Sequence, residues 1–181
     1  IKVIIDNTHG EINRNDLIKK LQKTDEDLPI DIHLNDLVDE MKIFRINPGT
    51  YLNFDEAIKK CNLEDIKIFL DELLDKYEFI TVGFIREKSN ERLIYEFSNY
   101  YYDSLIRIIA KEKSWFYSRN YLSKRSKKKE SLGTYIKRNY NWSITSKENY
   151  EKISKKAGIS FAGFSIIIYK PEFKFNTESL E

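Results

Sequence analysis

Cysteine is almost missing from this chain. A single one, Cys61, stands among 181 residues, which excludes an internal disulfide and every multi-cysteine metal or iron–sulfur site. Histidine is nearly as scarce, with only His9 and His33, so zinc chemistry is not expected and no cofactor is indicated. Phosphate-cradling Gly-x-x-x-x-Gly-Lys and nucleophile-bearing Gly-x-Ser-x-Gly sequences are both lacking. Long apolar runs are lacking too. Ile166-Ile167-Ile168-Tyr169 is among the longest, far short of the roughly 20 residues that span a bilayer, so no membrane partner is expected. The opening Ile1-Lys2-Val3-Ile4-Ile5-Asp6 is too short for a secretory signal and has an acid where small residues would mark cleavage. A cytoplasmic location follows as the expectation.

What is present is enough apolar material for a core. Hydrophobic residues make up 41% of the chain and aromatics 14%, sufficient for one sizeable domain or two small ones. Net charge is only +2, but the sign changes along the chain: residues 1–80 carry 11 Lys and Arg against 18 Asp and Glu, and residues 81–181 carry 20 against 11. An acidic half followed by a basic half suits an anionic partner for the second, or mutual attraction between halves of two copies in a salt-sensitive homo-oligomer.

Local patterns predict a mixed α/β or α+β fold. Residues 1–5 read as a buried strand, Asp6–Gly10 as a turn and Asn15–Lys23 as a polar helix, giving an N-terminal strand–helix element over 1–47. Pro29–Leu34 alternates as a short strand would, and Asp36–Met41 suits a short helix. Asn47-Pro48-Gly49-Thr50 is the clearest turn of the first half and marks a candidate sub-domain boundary. Asn53 is placed to cap a helix over Phe54–Cys61, and Asn62-Leu63 separates it from a second over Glu64–Lys76, with Ile66, Phe69, Leu70, Leu73 and Leu74 on one face. Phe79–Ile85 and Arg92–Phe97 then read as strands around a polar tip, Arg86–Asn90 with Glu91. A long helix is predicted from Ser98 to about Lys124, with an interruption near Ser114. The segment 98–175 closes with a helix over Lys147–Ala157, Gly158 as a left-handed cap, and a strand over Ile159–Tyr169 ending at Pro171.

Helix, turn, longer helix and two-stranded ribbon follow one another over residues 51–97, and in pattern and length this stretch resembles a winged helix-turn-helix module. The resemblance implies a central winged-helix-like unit over 48–97 and an association with DNA. It also implies an awkward recognition helix, because Glu64–Lys76 carries Glu64, Asp65, Asp71, Glu72 and Asp75 against only Lys67 and Lys76, and phosphates repel such a face. Contact with nucleic acid would then fall to the wing, through Arg86, Lys88 and Arg92, and to the segment beyond it.

That segment is the most pronounced feature of the sequence. Between Lys111 and Tyr140 stand Lys111, Lys113, Arg119, Lys124, Arg125, Lys127, Lys128, Lys129, Lys137 and Arg138, opposed only by Glu112 and Glu130. Basic side chains neutralise phosphates and flat rings stack on unpaired bases, so the mixture suits DNA or RNA, single strands in particular. Trp115 and Phe116 continue the apolar stripe of the predicted helix, whereas Tyr117, Tyr121, Tyr135 and Tyr140 are available for stacking. A nucleic-acid-associated binding protein is the leading expectation. The alternative is a metal-dependent hydrolase or nuclease centred on Asp6, His9 and Glu11, an acid, an imidazole and a second acid just past a predicted strand. The hydrophobic strand followed by Asp6 is similar to the opening strands of several acid-dependent nuclease and phosphatase folds. The closing helix, Asn149–Gly158, is similar to the last helix of many class I methyltransferases, but no glycine-rich loop follows the first strand to receive their cofactor. Cys61 lies among apolar neighbours and reads as a small core residue.

Overall fold

The computed structural model describes residues 1–21, 29–93, 95–118, 121–124, 133–134, 146–160 and 163–164. Its first element is a helix, α1 (Lys2–Asp6), where the β-branched run predicts a strand. The Asn7 amide donates to the Val3 carbonyl at 3.1 Å, and of the apolar block Ile5 is buried while Val3 is 69% exposed. Packing of one helical face has overridden strand propensity. A two-residue strand, β1 (Ile12–Asn13), leads into α2 (Arg14–Leu21), which realises the predicted polar helix. Asn13 Oδ1 accepts from the Asp16 amide at 2.9 Å and so caps it.

The expected strand over Pro29–Leu34 is also helical, as part of α3 (Ile30–Asp39), which absorbs the predicted Asp36–Met41 helix. The sequence supports both periods here. Ile30, Ile32 and Leu34 alternate, but Ile30, Leu34 and Val38 also recur every four residues, and it is this second set that is buried while Ile32 is 60% exposed. After Met41, which adopts φ 58°, the chain forms a hairpin of β2 (Ile43–Asn47) and β3 (Thr50–Asn53). The Asn47–Thr50 turn is therefore the tip of a hairpin, with Gly49 at φ 66°, and a domain boundary between residues 47 and 48 would divide paired strands. β1 adds to the other side of β3, giving a three-stranded antiparallel sheet of order β1-β3-β2.

Two helices follow as expected. In α4 (Phe54–Lys59) Asn53 Oδ1 accepts from the Asp55 amide, and in α5 (Leu63–Lys76) Asn62 Oδ1 accepts from the Glu64 and Asp65 amides. The predicted stripe is buried at Ile66, Phe69, Leu70 and Leu74. The ribbon on which the winged-helix resemblance rests is not formed. Strand β4 is only Phe79–Thr81, and Val82–Leu93 is a helix, α6. Thr81 makes the switch: its hydroxyl accepts from the Phe84 amide at 3.4 Å and donates to the Gly158 carbonyl at 3.2 Å. Four of the six residues read as a hairpin tip, Arg86, Glu87, Lys88 and Glu91, are good helix formers, and a Lys88–Glu91 pair one turn apart ties them.

The long helix α7 (Asn99–Glu112) ends sooner than predicted. Ser114 at φ 56° turns the chain out of it, and residues placed in the helix instead form a hairpin of β5 (Phe116–Ser118) and β6 (Tyr121–Ser123). The closing helix is α8 (Ser146–Lys156), followed by β7 (Ala157–Gly158). Gly158 is not a left-handed cap, since the positive-φ glycines among the described residues are Gly10 and Gly49. It lies in a strand that pairs in parallel with β4, Phe79 opposite Ala157 and Ile80 opposite Gly158. The second sheet has order β5-β6-β4-β7. Of the predicted 159–169 strand, Gly163 and Phe164 are in a helical turn, with the Phe164 amide donating to the Ser160 carbonyl at 2.9 Å, and the rest beyond Ser160 lies outside the described residues.

The architecture is thus α+β, with two small sheets and helices packed on both. One apolar cluster fills the N-terminal part around Ile5, Leu17, Leu34 and Val38, and a larger one surrounds α7. Helix α7 joins them. Ser104 Oγ accepts from the Arg45 amide at 3.3 Å, with its one proton shared between the Tyr100 carbonyl at 3.2 Å and the Arg45 carbonyl at 3.4 Å, so that the edge of β2 is bonded to α7. Arg107 of α7 also pairs with Asp39 of α3.

A surface pair in the N-terminal part makes the stability of the chain respond to acid. Arg14 Nε and Nη2 donate to the two Asp31 carboxylate oxygens at 2.8 and 3.0 Å, and these hydrogen bonds hold the Asp31 carboxyl below its usual value of 3.8. A depressed folded-state pKa stabilises the fold above the unfolded value and is lost as pH falls through the folded one. The Asp31→Asn variant is therefore expected to flatten the loss of stability between neutral pH and pH 2, with the difference from wild type concentrated below about pH 4. Urea midpoints measured across that range check it, and identical pH slopes would remove the pair from the acid response.

Candidate functional site

Much of the basic aromatic set lies outside the described residues: Arg119, Arg125, Lys127, Lys128, Lys129, Tyr135, Lys137, Arg138 and Tyr140. The members that are described are largely engaged within the chain. Lys124, at the end of β6, reaches back to α5, with Nζ 2.6 Å from Asp71 Oδ1 and 2.5 Å from Asp75 Oδ1, and lies over the Trp115 ring at 5.6 Å. Partial burial disfavours its charge, but the hydrogen bonds to Asp71 and Asp75 outweigh this and raise its pKa. Arg92 pairs with Glu72, also on α5, and Lys88 with Glu87 and Glu91. The acidic face of α5 is thus matched by cations from later in the chain. Lys67 adds to this pattern from within the helix itself, bonded to Glu64 at 2.7 Å and Glu112 at 2.8 Å.

The aromatic candidates divide in the same way. Tyr121 is fully buried, its ring 5.8 Å from Phe79 and 5.6 Å from Phe116, so the expectation that it stacks on bases is corrected: it is core. The reason is that β6 is an inner strand of the second sheet, where Tyr121 pairs with Ser118 of β5 and Thr81 of β4. Tyr117 is half-buried, hydrogen-bonded to Asp103 and covered by the Arg107 guanidinium at 5.7 Å. Arg86, on α6, is exposed and has no ion pair among the described residues.

Asp6, His9 and Glu11 follow one another around the α1–β1 turn but have separate partners. Asp6 accepts from Lys2 and, at 2.8 Å, from Asn53 Nδ2. The His9 side chain is fully exposed, with Nδ1 3.9 Å from Glu56. Glu11 pairs with Lys60 at 3.2 Å, and Glu56 accepts from the Gly10 amide at 3.0 Å. The turn is held by these contacts in the way polar turn residues commonly are. Among the described residues no group of three or more His, Cys, Asp or Glu side chains is placed to hold a metal ion.

One concave site was not foreseen from sequence. A groove of about 1010 Å³ opens between the end of β2, helix α6 and the 95–98 segment that leads into α7. Helix α6 contributes Arg86, Glu87, Asn90 and Glu91, one face over two turns. Opposite them three rings stack in sequence: Tyr95 on Phe97 at 4.8 Å and 19°, and Phe97 on Tyr101 at 4.0 Å and 22°. Hydrogen bonds fix this ladder. Tyr95 Oη accepts from the Asn62 amide at 2.9 Å, Asn90 Nδ2 donates to the Phe97 carbonyl at 3.3 Å, and Tyr101 Oη donates to the Ala57 carbonyl at 2.5 Å. Burial pushes the Tyr101 phenol up, with the nearby Cys61 adding to the effect, and burial alone raises the Cys61 thiol. Cys61 is consequently a half-buried neutral thiol behind the ladder, as its apolar neighbours predict. The groove was hidden because Arg86–Glu91 read as a hairpin tip and Tyr95 and Phe97 as strand residues.

Of the charged groups lining the groove, Glu11 pairs with Lys60, and Glu87 and Glu91 with Lys88. Arg86 and Glu96 have neither an ion pair nor a side-chain hydrogen bond among the described residues, and both are exposed. Among the described residues no helix is long and apolar enough to cross a membrane. No family model matches the chain, and no curated protein or solved structure matches it either.

Proposed function

We propose that this chain is a nucleic-acid-associated binding protein, its contact being the basic aromatic stretch from Lys111 to Arg138. The observation that carries this reading is the excess of ten cations over two acids between Lys111 and Tyr140, a charge opposite in sign to the phosphate backbone. Two structural features support it. Lys111 and Lys113 are exposed at the end of α7. The segment between Lys124 and Ser146 is also bounded by β6 on one side and by α8 and β7 on the other, and β6 and β7 flank β4. The cations of α6 are secondary in this reading, since Lys88 and Arg92 are matched by carboxylates.

Fluorescence polarisation with a labelled single-stranded oligonucleotide at 50 and 200 mM salt tests the proposal. Replacing Lys127, Lys128 and Lys129 together with glutamate is expected to lower affinity at low salt at least about tenfold and to flatten the salt dependence. Lys124→Gln should weaken binding less than any one of those replacements, because Asp71 and Asp75 already hold its ammonium. Absence of binding at low salt, or affinity unchanged in the triple variant, overturns the reading.

A further inference from the structure

We infer that the groove between α6 and the Tyr95–Tyr101 ladder is a docking site for a peptide segment bearing arginine. The shape is that of a ligand site, a concavity with an aromatic floor and polar groups on the opposite wall. Its volume of about 1010 Å³ admits a short peptide. The charges select the occupant. Four carboxylates, Glu11, Glu87, Glu91 and Glu96, line the groove against Lys60 and Arg86, so a cationic side chain is favoured. Three of the four are already paired, Glu11 with Lys60 and both Glu87 and Glu91 with Lys88, and Glu96 is the acid left for a ligand.

Arginine fits this arrangement better than lysine. Its planar guanidinium can lie on the outer face of the half-buried Tyr95 ring, the end of the stack, while its fork of N–H groups meets a carboxylate in bidentate fashion. The stack is rigid before a ligand arrives, because Tyr95 and Tyr101 are tied through their hydroxyls and Phe97 through its carbonyl. Binding thus orders little of the protein. Arg86 would repel a second cation close by, but its N–H groups are matched by a peptide carbonyl next to the arginine. A segment with one arginine flanked by uncharged residues offers a partner to both Glu96 and Arg86, whereas a polycation does not.

The probe is the acetylated and amidated tripeptide Gly-Arg-Gly, titrated into the isotope-labelled full chain and followed by amide chemical shifts. Saturating shifts are expected at Glu91, Glu96 and Phe97. Replacing the arginine with citrulline, or Glu96 with glutamine, is expected to weaken binding about tenfold, the value of a charge-assisted bidentate pair. Asp65→Asn, an exposed acid on α5 outside the groove, should leave affinity unchanged. Shifts that do not saturate or that fall elsewhere, equal affinity for the citrulline peptide, or an Asp65→Asn loss as large as that of Glu96→Gln would overturn the assignment. The result is independent of nucleic-acid binding.

Discussion

Replacing Phe44 with alanine is expected to destabilise the fold by about 3–5 kcal/mol, the usual cost of deleting a buried phenylalanine from a packed core. The ring is 1% exposed and sits where three parts of the chain meet. It lies on β2 opposite Leu52 of β3, at 5.7 Å from Phe54 at the start of α4 and 5.5 Å from Tyr101 of α7. Truncation would remove two aromatic contacts and open a void that the hairpin register and the α7 packing prevent from closing. At about 2–4 °C per kcal/mol for a chain of this size, the melting temperature should fall by roughly 6–20 °C. Since Tyr101 also ends the ladder that lines the groove, the same variant should reduce binding of the arginine peptide. Phe44→Leu, which keeps most of the apolar volume, should restore much of the stability. A loss below about 1 kcal/mol in urea unfolding would mean that the hairpin is not seated on α7.

Phe44 also marks the limit of what could be read from the residues. The α4–α5 pair was legible because each signal there agreed with the next: asparagine caps at Asn53 and Asn62, then an apolar stripe at helical spacing. Helix α8 was legible for the same reason. Where two periods were available, or where propensity pointed away from packing, the reading failed. Ile30–Val38 alternates and also repeats every fourth residue. Ile1–Ile5 is β-branched but uses one helical face. Phe79–Ile85 is strand-like in composition, yet the Thr81 hydroxyl caps a helix as soon as β4 ends. Of the β2–β3 hairpin only the turn was legible, and it read as a sub-domain boundary. Its strands are buried by α7, some fifty residues further on, and no local pattern carries that information.

The candidate sites divide along the same line. The acidity of α5 was visible in the sequence, and so was the conflict it creates for a DNA-reading helix. That Lys124 and Arg92 match it was not, because each contact joins residues far apart in sequence. The groove needed a helix where a hairpin was expected. With α6 in place, residues 86, 87, 90 and 91 share one face, and a polar segment becomes the wall of a concavity.

Gly158→Ala is expected to be destabilising by about 2–3 kcal/mol, while Gly83→Ala should be neutral or stabilising by up to about 1 kcal/mol. Neither glycine is in a left-handed conformation, so the contrast isolates space. A Cβ built on Gly158 would lie 2.6 Å from Ile80 Cγ2, 2.6 Å from Phe84 Cδ1 and 2.7 Å from Phe84 Cε1, whereas one on Gly83 meets nothing within 4 Å. Ile80 is fully buried and β-branched, with its Cγ2 fixed on the backbone of β4, so it cannot move aside. The methyl group would push β7 away from β4 and strain the bond from the Thr81 hydroxyl to the Gly158 carbonyl. Helix α8 runs directly into β7, and the Glu78 amide donates to the last carbonyl of that helix, at Lys156, at 2.7 Å. Displacing the strand therefore loosens the point at which the chain returns from the basic stretch. Melting temperatures of the two variants check the packing, with the Gly158 variant expected lower by roughly 4–12 °C. Equal melting temperatures would show that β7 does not close against β4.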